Sequence, residues 1–225
     1  DEGICRCRIV GYQREVVEGR TGVHVGGGAH GSGDFYAFAR CHHAVGHAQA
    51  VMPKAVLFLG KCGGLKRANV LGDYVLPIAA IRGEGTSNEY LPPEVPSLPA
   101  FSMLRAISSA IRDHGKDYWT GTIYTTNRRV WEYDNAFKEY LRSTHATGID
   151  METATLLTAG FANQIPTGAL LMISDKPMEE DGVKTEASDR KVTQQFVGEQ
   201  VMLGVEALQQ ILDGKKTIRH IRFSW

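Results

Sequence analysis

The sequence lacks any run of about 18 apolar residues, so no membrane span is expected of its 225 positions. It also lacks net charge: 25 lysines and arginines balance 25 aspartates and glutamates. That neutrality gives no electrostatic footprint for a nucleic-acid polymer, yet it leaves room for a single nucleotide as ligand. Cysteine is scarce, and the spacing of Cys5, Cys7, Cys41 and Cys62 suggests no disulfide framework. This fits a reducing cytoplasm. The opening "DEGICRCRIV" is charged and has no apolar signal core, so the expectation is a cytoplasmic rather than a secreted protein.

The sharpest absence is local. The first 52 residues contain no leucine and no lysine, while holding five of the eight histidines and ten of the 25 glycines. The stretch "HVGGGAHGSGDFYAFARCHHAVGHAQAV" has no helical period. A metal site from Cys5, Cys7 and these histidines would need a ligand spacing that does not occur here. No metal and no cofactor is expected. From Pro53 onward the composition is that of an ordinary α/β domain. The chain therefore divides into an aberrant, poorly packed segment at 1–52 and one domain at 53–225.

Within that domain, apolar runs alternate with helical patterns. "KAVLFLG" (54–60) is continuous and ends in glycine, as a strand buried on both faces does. "GDYVLPIAAIR" (72–82), "YWTGTIYTTN" (118–127) and "GALLMISD" (168–175) read as further strands. Helices are expected over 97–115, closed by Gly115, over 134–143 with Asp134 as N-cap, over 151–163, and over 186–214. Strands alternating with helices argue for a mostly parallel or mixed sheet covered on both faces.

Four constellations could carry chemistry. In "GKCGGLKRANVLGD" (60–73) a strand opens onto a Cys-Gly-Gly turn, where glycine lets backbone approach a ligand or simply turns the chain. The spacing of a Walker loop is absent. In "IDMETA" (149–154) Glu152 is a carboxylate in an otherwise small and apolar helix. It can cap that helix or accept hydrogen bonds from vicinal hydroxyls. "TTNRRVWEYD" (125–134) sets Arg128 and Arg129 beside Trp131, a combination suited to stacking on a base, to gripping phosphate, or to a solvated loop. Ser174 and Asp175 end an apolar strand. An acid at the carboxyl end of a sheet is a candidate proton donor, or a turn residue.

The order of these pieces, through "LGKCGGL", "LGDYVLPIAAIRGEGTSNEYLPPEVP", "TGTIYTTNRRVWE", "IDMETAT" and "SDKP", resembles the purine and uridine phosphorylase/nucleosidase superfamily. Within it the sequence is most similar to the AMP nucleosidases, from about Pro53 to Phe223. The resemblance implies an α/β three-layer sandwich around a twisted mixed β-sheet, of the nucleoside phosphorylase type. It also implies self-association from dimer to hexamer and a purine nucleotide as substrate.

The same resemblance gives roles to individual residues. Met151 and Glu152 match the segment that holds the ribose, and Asp175, next to Ser174, matches the acid that protonates purine N7. Arg190 falls near an arginine that engages this acid in related enzymes. Lys61, Cys62, Gly63 and Gly64 match the turn beside sugar and phosphate, and Arg128, Arg129 and Trp131 match the base-binding loop. Phosphorylases of the superfamily carry an arginine where this sequence has Phe58, which leans toward hydrolysis by water.

The implied reaction is therefore cleavage of AMP to adenine and ribose 5-phosphate. A phosphorylase, a nucleoside hydrolase and an inactive nucleotide-binding homologue are the alternatives. Residues 1–52 depart from the family's expected first strands and glycine-serine-proline loop. A frameshifted translation would account for this: read one base later, "GHAQ" permits Asp-Met-Leu-Lys, and loss of one G near Gln49 restores the visible frame.

Overall fold

The computed structural model describes residues 55–179 and 181–213, together with two short strands, β1 (Cys7–Val10) and β2 (His24–Gly26). Both lie parallel at one side of the sheet, β2 on β1 and β1 on the first half of β3 (Ala55–Gly64). The expectation of poor packing over 1–52 otherwise lies outside the described residues.

Side-chain alternation along β3 sets the layers. Ala55, Leu57 and Leu59 pack into one cluster with Met103, Ile107, Leu203 and Ala207. These partners come from α1 (Phe101–Asp113) and α4 (Glu186–Leu212). Phe58 and Cys62, on the other face, pack with Leu156 of α3 (Thr153–Ala162) and with Ile123, Leu171 and Ile173. Leu57, Met103, Ile107, Leu170 and Met172 are fully buried. Burial of such side chains contributes about 1.5–3 kcal/mol each. Helices thus cover both faces of one sheet, as the alternating pattern implied.

The sheet is mixed. β7 (Thr167–Asp175) runs parallel to β3 along most of its length, and β4 (Tyr74–Gly83) is antiparallel to β7. β5 (Tyr118–Thr126) is parallel to β4, and β6 (Gly148–Asp150) is parallel to β5. β6 then meets the tip of β3 in antiparallel pairing, Gly63 opposite Ile149 and Gly64 opposite Gly148. That return brings the ends of β3, β6 and β7 together.

Several boundaries differ from the sequence reading for physical reasons. Lys61–Gly64, expected as a turn, continues β3, because both neighbouring strands supply pairing there. α1 starts at Phe101 rather than Ser97, because Ser97 is spent in a bridge to Ala80 and Pro99 follows. Its far end stops ahead of Gly115, which has the positive φ of a helix terminator. Asp134 caps α2 (Asn135–Ser143), its Oδ1 accepting from the Phe137 amide at 2.9 Å. Thr185 and Ser188 form a reciprocal capping box at the start of α4. Among the described residues no helix is long and apolar enough to cross a membrane.

Candidate active site

Asp175 closes β7. The pairing of β3 with β7 steps from Cys62–Ile173 to Gly63–Asp175, so Ser174 is the extra residue of a bulge. Its hydroxyl lies 2.6 Å from Asp175 Oδ1, as donor, and 3.4 Å from the Cys62 carbonyl. Burial pushes the Asp175 carboxyl above its ordinary range, against the Ser174 hydrogen bond and the Lys184 charge, with Glu132 and Asp189 adding to the rise. A carboxyl raised in this way on a rigid strand end is a candidate proton donor.

The elbow between β6 and α3 presents Met151 and Glu152, both half-buried. Helix capping here belongs to Asp150, not to Glu152. Asp150 Oδ2 accepts from the Thr153 amide at 2.9 Å and from the Thr153 hydroxyl, and Oδ1 accepts from Thr125 Oγ1 at 2.7 Å. Thr125 Oγ1 in turn accepts from the Ala154 amide at 3.0 Å. Glu152, the residue before α3, makes no capping bond, and its Oε2 accepts from the Met151 amide at 3.2 Å. Burial first, then the charge of Asp150, raises the Glu152 carboxyl to about 7. Burial also raises Asp150 to about 6, against its hydrogen bonds from Thr153 and Thr125. The sequence reading missed Asp150, although Asp-x-x-Thr at a helix start is a capping signal.

Glycine is required where β3 reaches this site. A Cβ on Gly63 would come within 2.8 Å of Pro177 Cγ, and one on Gly64 within 3.0 Å of Ile173 Cδ1. The backbone of 63–64 can therefore sit flush against the end of β7.

Four of the residues singled out by sequence spend their side chains on other contacts. Lys61 projects to the α4 face of the sheet, with Leu57 and Leu59. Its ammonium donates to Asp189 Oδ1 at 2.7 Å and Thr193 Oγ1 at 2.5 Å. Cys62 is buried in the core, which pushes its thiol well above the ordinary range. Trp131 is 5% exposed and packs edge-on to Phe137 with Tyr124 and Leu141, so its indole offers no stacking face to a base. Arg190 does not engage Asp175: it pairs with Glu186 at 2.5 Å, one turn away on the exposed side of α4. The inward position is Asp189, which also accepts from Lys184 at 2.9 Å.

Arg128 pairs with Asp134 at 3.1 Å and lies 4.7 Å over the Phe137 ring. Arg129 is exposed, and its charge acts on Glu152, as does that of Lys184. Among the described residues no cluster of histidine, cysteine and carboxylate side chains could hold a metal ion.

The sequence matches the Phosphorylase superfamily over residues 19–214. It is 30% identical over 171 residues to the AMP nucleosidase of Escherichia coli K12, a match that covers 72% of this chain and 35% of that protein. The chain thus corresponds to about a third of that relative's length. A crystal structure of AMP nucleosidase from Bacteroides thetaiotaomicron VPI-5482 is 57% identical, with a TM-score of 0.70 over 87% of this chain and 75% of that one. Uridine phosphorylase from Vibrio fischeri has a TM-score of 0.70 at 18% identity, covering 92% and 91% of the two chains, and so shares the fold. With a mixed sheet layered by helices, and a match that runs from before β2 to past α4, this chain belongs to the phosphorylase superfamily.

Proposed function

We propose that this chain hydrolyses the N-glycosidic bond of AMP, releasing adenine and ribose 5-phosphate. The observation that carries this reading is Asp175, a carboxyl set by a bulge at the end of β7, beside the backbone of β3, and raised above its ordinary range by burial. Departure of a purine as an anion is difficult, and a proton given to N7 turns it into a neutral leaving group. A positioned acid contributes about 10²–10⁴-fold to such a step. The ribose becomes cationic as the bond breaks. Glu152, on the neighbouring elbow, suits the 2′ and 3′ hydroxyls, orienting the sugar and stabilising that charge. Likeness to two AMP nucleosidases supports the choice of substrate.

Water is the proposed acceptor. Phe58 stands where superfamily phosphorylases hold phosphate with arginine, and it is buried among Val75, Leu156 and Leu171. Assembly from dimers into a hexamer and a cytoplasmic location complete the proposal. Light scattering on the purified protein and fractionation of the cell test these two points.

The activity itself is tested by incubating the protein with AMP or adenosine, with and without inorganic phosphate, and separating products by chromatography. Adenine and ribose 5-phosphate from AMP, independent of added phosphate, are expected. Ribose 1-phosphate formed only with added phosphate would make the protein a phosphorylase, and tight AMP binding without adenine release would make it an inactive homologue.

A further inference from the structure

The stretch "IRGEGTSNEYLPPEVP" (81–96) contains a buried carboxylate with no part in the reading above. Glu84, directly after β4, is 5% exposed. Its Oε1 accepts two hydrogen bonds, from the Ser87 amide at 2.9 Å and from Thr155 Oγ1 at 3.0 Å. Its Oε2 is buried and has no hydrogen-bond partner among the described residues. A buried polar group in that state calls for an explanation.

Thr155 lies three residues beyond Glu152, on the same side of α3. The loop that supplies Glu84 is itself fixed. The Arg82 guanidinium donates to Ser87 Oγ at 2.7 Å, to the Leu91 carbonyl at 2.8 Å, to the Val95 carbonyl at 2.9 Å and to Asn88 Oδ1 at 3.0 Å. Farther along, Ser97 Oγ donates to the Ala154 carbonyl at 2.9 Å and accepts from Thr158 Oγ1 at 3.1 Å. The first turn of α3 is thus held from the β4 loop as well as from Asp150 and Thr125.

We propose that Glu84 is a positioning residue for the sugar site: through Thr155 it fixes the first turn of α3, and with it the Glu152 carboxylate. The proposal rests on the reading of Glu152 as the group that holds the ribose hydroxyls. Glu84 itself touches no substrate. Its loss frees α3 to shift at its start, and the geometry lost is that of the hydroxyl contact rather than of proton donation at Asp175. Discrimination between ribose and 2-deoxyribose is the quantity that depends on it.

The test compares kcat/KM for AMP and 2′-deoxy-AMP in wild type, Glu84→Ala, Glu84→Gln and Thr155→Val. Binding of ribose 5-phosphate and 2-deoxyribose 5-phosphate is measured by calorimetry on the same proteins, an arm that needs no turnover. In Glu84→Ala the ribose-to-deoxyribose ratio is expected to fall about tenfold, the equivalent of one hydrogen bond to a charged group. Glu84→Gln keeps the carbonyl oxygen that accepts both bonds and should restore the ratio. Thr155→Val should reproduce Glu84→Ala, and the double variant should be no worse than either single one. An equal loss on both sugars in Glu84→Ala, an unchanged ratio, or a failure of Glu84→Gln to restore it each overturns the proposal. Absence of adenine release from wild type would instead refute the proposed activity, with the sugar-phosphate ratio still deciding the role of Glu84.

Discussion

Gly63 of β3 stands opposite Asp175 of β7 at the point where the register of the two strands slips by one residue. The slip leaves Ser174 without a partner across the ladder, and its hydroxyl turns to Asp175. A bulge re-aims the side chains next to it. Here it lets a strand that is buried along eight residues finish in an acid beside the backbone of the neighbouring strand.

Replacing Asp175 by asparagine keeps the shape of the site and removes the proton. Turnover of AMP is expected to fall by about 10²-fold or more, with nucleotide binding retained. Steady-state kinetics and calorimetry on the same protein check this. A variant that keeps a tenth of the activity would rule out Asp175 as the general acid.

Glu152 gives the reaction a pH dependence of definite sign. Its carboxyl is raised from 4.5 to about 7, and it must be ionised to accept bonds from ribose hydroxyls. KM for AMP should therefore fall as pH rises through about 7, and Glu152→Gln should flatten the profile. Stability moves the opposite way. Between 4.5 and about 7 the folded form binds more protons at this site than the unfolded chain, so stability is lost as pH rises through that window. A urea midpoint that drops from pH 5 to pH 8 in wild type, and drops less in Glu152→Gln, is the expected result.

The two adjacent arginines should separate cleanly. Arg128 is committed to Asp134 and to the Phe137 ring, so Arg128→Ala should loosen α2 and lower both substrates alike. Arg129 acts on Glu152 from the loop after β5. Arg129→Ala should raise KM for AMP about tenfold and leave adenosine nearly unchanged, as loss of one charge-assisted bond to phosphate would. Equal effects of Arg129→Ala on AMP and adenosine would remove it from the phosphate.

Periodic signals were legible and contacts across the chain were not. The buried strands β3 and β7 and the helix α1 follow from apolar runs and 3.6-residue spacing, which are local properties. β6 has three residues, too few to show a period. Whether Glu152 capped its helix depended on Asp150, and so on Thr125, 25 residues earlier. Arg190 rests on its likeness in position to an arginine of related enzymes, yet one residue along a helix is a rotation of about 100°, which turns Asp189 inward and Arg190 out. Residues 1–52 gave no period to read. We propose that they are a frameshifted translation, and the coding DNA across Gln49–Met52 decides it: an intact frame there removes the proposal.

Lys61 and Asp189 test how much of this architecture depends on charge. They are 128 residues apart, and their side chains are 4% and 2% exposed. Burial pulls the Lys61 ammonium below its ordinary range despite its partner. For Asp189 burial acts upward, but hydrogen bonds from Lys61 and Lys184 outweigh it and hold the carboxyl below its ordinary range. Removing one member of a buried pair takes from the other a charge partner in a dry interior, which is destabilising. Asp189→Asn should therefore destabilise more than Lys61→Met, because it leaves both Lys61 and Lys184 without their carboxylate. The contrast is read from urea unfolding at pH 7. If Lys61→Met matched wild type in stability and Asp189→Asn did too, the pair would be dispensable for joining β3 to α4.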